Sequence, residues 1–146
     1  MKWLLLFSIS IMVVVSLAET GNEPNKYYVQ LIRGTDDNKA PEPNSKPLSP
    51  QQTGSFRSVF KWKTYWQISL QQVEVAAGHS TRVRLNPDRE VEIDLTRAEQ
   101  RSVRAFHRGK LVQCASCPRG EARTLIGGDR DTNSAWFIVI DRKPPS

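Results

Sequence analysis

The segment Ser134–Asp141, SAWFIVID, limits what this chain can become more than any other stretch. At the period of a β-strand, Trp136, Ile138 and Ile140 fall on one side, and Phe137 and Val139 on the other. A strand with one solvated face alternates apolar and polar residues, so a strand apolar on both faces must be covered twice. The available covers are a partner sheet together with a docked linker, an N-terminal strand, or another protein.

The rest of the second half reads as short alternating runs separated by turn residues, with no run of helical period. The expected fold class is all-β: a small antiparallel β-sandwich or partly open barrel over residues 57–143, followed by a tail at 144–146. In TRVRL and EVEIDL, Val83 and Leu85 share a face, as do Val91, Ile93 and Leu95. Turning both sets inward in one hairpin pairs Leu85 with Val91, Val83 with Ile93, Arg84 with Glu92 and Arg82 with Asp94, around a loop centred on Asp88. A second hairpin is expected at Arg108-Gly109, pairing His107 with Lys110, Phe106 with Leu111, Ala105 with Val112 and Val103 with Cys114.

Ahead of this body the chain changes character. Lys2, the apolar run at residues 3–15 and the small residues Ser16 and Ala18 form a signal peptide over residues 1–18, with cleavage after Ala18. The run is short for a bilayer span, so the processed chain is not expected to be an integral membrane protein. Residues 19–35 read as an extension with one strand, KYYVQLIRG, which either docks on the main sheet or stays available to another chain. Residues 36–56 hold four of the chain's nine prolines and read as an extended linker or loop that cannot carry a helix through them. On this reading, removing residues 19–55 leaves a folded core.

Residues 60–70, FKWKTYWQISL, place Phe60, Trp62, Trp66, Ile68 and Leu70 on one face and Lys61, Lys63 and Tyr65 on the other. The large rings align with Ile68 and Leu70, which assigns Trp62 and Trp66 to a core and leaves Lys61, Lys63 and Tyr65 as a candidate contact face. Val73 and Val75 are out of phase with that series, so a bulge is expected near Gln71-Gln72.

Three patterns bear on chemistry. Cys114 and Cys117, the only cysteines, read as a local disulfide in an exported chain, with free thiols or redox activity as the alternatives. Asp129, Asp131 and Asn133 have the spacing of a calcium loop, but Ser134 stands where that loop needs glycine and Ile140 where it needs glutamate. Neither His79 nor His107 sits in a recognisable catalytic motif, so no catalytic residue and no cofactor is assigned. The formal charge of +6 is spread among alternating acids and bases and suits weak attraction to anionic polymers.

These features lead to an exported, non-enzymatic binding or assembly module that docks to a protein in an envelope or extracellular complex. The alternative is a ligand-binding module that grips acidic polysaccharide or nucleic acid through Lys61, Lys63 and Tyr65. A secreted hydrolase or thiol oxidoreductase is the third reading.

Overall fold

The computed structural model describes residues 25–131 and 133–146, so the leader at 1–18 and its cleavage point lie outside the described residues. The chain is mostly strand: β1 (Asn25–Thr35), β2 (Lys46–Pro47), helix α1 (Pro50–Arg57), β3 (Thr64–Val75), β4 (Ser80–Asn86), β5 (Arg89–Asp94), β6 (Gln100–His107), β7 (Lys110–Pro118), β8 (Arg123–Asp131) and β9 (Ser134–Asp141). They form two antiparallel sheets, a five-stranded one in the order β2-β3-β1-β9-β8 and a four-stranded one in the order β4-β5-β6-β7. The chain is therefore all-β, as its turn-punctuated sequence implies.

The inward residues of both sheets share one core. Tyr27, Val29 and Leu31 of β1 and Trp136, Ile138 and Ile140 of β9 meet Val83, Val91, Ile93 and Val103 from the opposite sheet. Each such aliphatic side chain withdrawn from water contributes about 1.5 to 3 kcal/mol, an upper figure because unfolded chains already hide part of it.

The second cover required by β9 is supplied by the segment between β1 and β3. Ile32, Tyr65, Ala135, Phe137 and Val139 form an outer-face cluster with Leu48 and Phe56, with Phe60 and Trp62 packed against it. Prolines do not bar a helix here, because Pro50 occupies the first turn, where its missing N–H is no loss. Ser49 caps that end by accepting from the Gln52 N–H at 3.2 Å. With Gly54 inside and a single buried residue, α1 has little stability of its own; Phe56 holds it down.

Strand β1 occupies the centre of the five-stranded sheet. It pairs along its length with β3, from Asn25↔Val75 to Thr35↔Thr64, and with β9, from Tyr28↔Asp141 to Thr35↔Ser134. Of the two options for the N-terminal strand, docking on the main sheet is the one observed, and without β1 the strands β3 and β9 have no common neighbour, which argues against a folded core after removal of residues 19–55. The phase slip in β3 falls at Ile68 rather than at Gln71-Gln72, since Leu31 faces Ser69 and Ile32 faces Gln67.

Both hairpins form, each with a bulge that sequence parity does not reveal. In β4–β5 the pairs are Val83↔Val91, Arg82↔Glu92 and Arg84↔Glu90, two residues from the expected register. A bulge at Leu85 allows a tighter turn while keeping the same side chains inward. In β6–β7, His107↔Lys110 and Phe106↔Leu111 stand as expected, and Arg108 (φ 49°) and Gly109 (φ 79°) both take the positive φ that a two-residue hairpin turn demands. Beyond them a bulge at Val112 shifts the ladder, so Cys114 faces Arg104 and Ala115 faces Val103.

Candidate functional site

The proposed contact face of Lys61, Lys63 and Tyr65 does not exist as a unit. Tyr65 is 1% exposed, with its ring centroid 5.1 Å from that of Phe56 and 6.2 Å from that of Phe137. Parity separates Tyr65 from Trp66, but the expected single row of rings is corrected: Phe60 and Trp62 pack with Tyr65 on the face that α1 covers, and Leu70, beyond the slip at Ile68, is exposed. Burial pushes the Tyr65 phenol above its ordinary pKa, and its hydroxyl has no partner among the described residues. Lys61 and Lys63 remain exposed, ahead of β3. Trp66 is buried, and its indole N–H donates to Thr35 Oγ1 at 3.3 Å.

Trp62 is half-buried and lies directly against Gly34, where a Cβ would come within 2.8 Å of the indole Cγ and Cδ1. Phe137 lies as closely on Gly127, where a Cβ would come within 2.5 Å of its ring. These two glycines let the rings lie flat on the sheet. The result is an open groove of about 410 Å³ walled by Val59, Phe60, Trp62 and Phe137, with Lys61, Arg130 and Asp36 at its rim.

Asp131 is committed to the hairpin end of the sheet. Its carboxylate accepts from the Trp136 indole N–H at 3.1 Å and from Ser134 Oγ at 3.3 Å, with the Arg33 guanidinium 3.8 Å away. The Trp136 hydrogen bond, with help from Ser134 and nearby Arg33 and Arg89, holds the Asp131 carboxyl below the usual range. The same two arginines lie over the Trp136 ring, at 5.0 and 4.4 Å from its centroid. Of the three residues with calcium-loop spacing, Asp131 is a hydrogen-bond hub, Asn133 is in the turn, and the Asp129 side chain lies outside the described residues. Among the described residues no cluster of three or more His, Cys, Asp or Glu is placed to hold a metal ion.

Cys114 and Cys117 are free thiols. Both lie on β7, where three strand residues span about 10 Å and point the two side chains to opposite faces, beyond the reach of a disulfide. Cys117 turns inward, with Sγ 3.4 Å from Thr124 Oγ1. Beside it lies Arg101, which no pattern in the residue order singles out. It is 0% exposed and donates to Glu121 O at 3.0 Å and Thr124 Oγ1 at 2.7 Å, bolting one sheet to the other.

Strand β7 is the remaining feature. It ends the four-stranded sheet, and among the described residues no strand pairs with its outer side. It also overhangs the core: Leu111 is 54% exposed, Val112 47%, and Gln113 and Cys114 are exposed too. Between Lys110 and Pro118 it has no charge and no proline, the usual guards of an open edge. The other edge of that sheet, β4, displays Arg82 and Arg84, both tied to Glu90. No family model, curated protein or solved structure matches this chain.

Proposed function

We propose that the chain is an exported, non-enzymatic binding or assembly module, and that the surface through which it docks is the open edge of β7. The observation that carries this is the uncharged edge run from Leu111 to Cys117, exposed on both faces from Leu111 to Cys114. Its free backbone N–H and C=O groups match an added strand, a mode in which main-chain hydrogen bonds supply affinity and alternate side chains supply selectivity. Among the described residues no helix is long and apolar enough to cross a membrane. An envelope or extracellular complex is the setting that the signal segment at residues 1–18 favours.

The test is retention on an affinity column. The immobilised protein and its Val112→Lys variant are challenged with the same solubilised envelope extract. Species held by the parent are expected to be lost from Val112→Lys and kept by Lys61→Glu, a control in the segment ahead of β3. Equal retention by parent and Val112→Lys overturns the edge as the working surface.

A second reading rests on the groove beside Trp62, where exposed ring edges meet Lys61 and Arg130. An acidic polysaccharide or nucleic acid is the ligand that this chemistry suits. Salt-sensitive heparin binding that disappears in Lys61→Glu would support it; unchanged elution would remove it.

A further inference from the structure

Taking the edge of β7 as the working surface, we infer that the strand it receives is β7 of a second copy of this chain. Strand β7 runs from Lys110 to Pro118, and Cys114 is its middle residue. In a two-fold antiparallel pairing about that residue, Cys114 faces Cys114 of the second copy, Gln113 faces Ala115, and Val112 faces Ser116. The bulge at Val112 ends the match there, so each copy contributes five residues.

Charge placement fits this arrangement. Lys110 is the only charged residue of β7, and antiparallel pairing sets the two Lys110 residues at opposite ends, each beside the turn that follows Pro118 in the other copy. In that turn the Arg119 guanidinium is engaged with Ala98 O at 2.8 Å and Leu95 O at 3.1 Å, whereas Glu121 is exposed. A parallel arrangement would put like charges together and would leave Cys114 off the symmetry axis. Isologous contacts of this kind close at two subunits and do not propagate.

Directly opposed antiparallel residues have Cα atoms about 4.5 to 5.5 Å apart, within the span a disulfide bridges. The pairing of Cys114 with Arg104 puts its thiol on the outer face of the sheet, and the thiol is solvent-exposed. A small-molecule disulfide such as oxidised glutathione can therefore lock the pair. One Cys114 thiolate attacks it to give a mixed disulfide and one glutathione thiol. The second Cys114 thiolate then displaces the other glutathione, so the glutathione S–S bond is broken and reduced as the intersubunit bond forms.

The purified protein, its Cys114→Ser, Cys117→Ser and Val112→Lys variants are incubated with oxidised glutathione and run on non-reducing gels. Sedimentation velocity is recorded in parallel under reducing conditions. The parent and Cys117→Ser should give a covalent dimer, Cys114→Ser none, and Val112→Lys at least tenfold less at an unchanged melting temperature. Cross-linking through Cys117, equal yield from Val112→Lys, or absence of any dimer overturns self-pairing. If the dimer is absent but Val112→Lys still loses retained species on the affinity column, another protein supplies the strand. If Val112→Lys changes neither result, the edge reading falls as well.

Discussion

Replacing Phe56 with alanine tests whether the segment between β1 and β3 belongs to the cooperative fold. Phe56 is the one buried residue of α1, and its ring lies 5.1 Å from Tyr65, 5.5 Å from Phe137 and 5.8 Å from Phe60, centroid to centroid. Phenylalanine-to-alanine changes in cores destabilise by about 3 to 5 kcal/mol, the spread reflecting how far each site can collapse. Here one wall is a two-turn helix that can settle toward the sheet, so the lower end applies, about 3 kcal/mol. That is a large share of the roughly 5 to 15 kcal/mol that holds an ordinary domain together. With a urea dependence of about 1.5 kcal/mol per molar, the unfolding midpoint should fall by about 2 M. Tryptophan fluorescence follows the transition, and hydrogen exchange follows the α1 amides. A shift below about 0.5 M refutes the reasoning in one of two ways. If α1 amides exchange freely, the helix is a separately opening flap; if they stay protected, other contacts hold it.

Gly34→Ala places a methyl group where the Trp62 indole now lies, and overpacking of this kind should destabilise by about 1 to 3 kcal/mol with a change in indole emission. Unchanged stability and emission would show that the indole moves aside without loss. The Asp131 carboxyl has a folded-state pKa below its unfolded one, so the unfolded chain takes up the proton first as pH falls. Its contribution is present above the ordinary range near pH 4 and disappears as pH drops through the lower folded value. Asp131→Asn should therefore flatten the acid limb of the stability curve, and an identical limb in both proteins would contradict the Trp136 hydrogen bond as its cause.

Some of this architecture was readable from residue order alone. The doubly apolar β9 required two covers, and period-two alternation in β4 and β5 put Val83, Leu85, Val91 and Ile93 inward. The Arg108-Gly109 turn was legible from a glycine set between two alternating runs, although arginine is an unusual residue at the first of its two positive-φ positions. Parity revealed the slip in β3 but placed it a few residues late, and it could not see the bulges at Leu85 and Val112, because one unpaired residue leaves composition unchanged while moving every later partner. Nor could it place Tyr65. Alternation shows which residues share a face, whereas coverage depends on where Phe56 and Phe60 come to rest, a matter of tertiary packing. The role of β7 was hidden for a related reason, since whether a run such as LVQCASC lies at an edge is a property of strand order.

The antiparallel pairing of β1 with β9 also sets a timetable. Tyr28 meets Asp141 and Arg33 meets Trp136, so the middle of the larger sheet joins positions more than a hundred residues apart. Until the last strand has left the ribosome, β1 has only one of its two neighbours, and its apolar residues must wait beside β3 with one edge open. Topologies rich in such distant pairings gain their shape slowly. For a chain exported as proposed, late completion of this sheet suits passage through a narrow translocation pore.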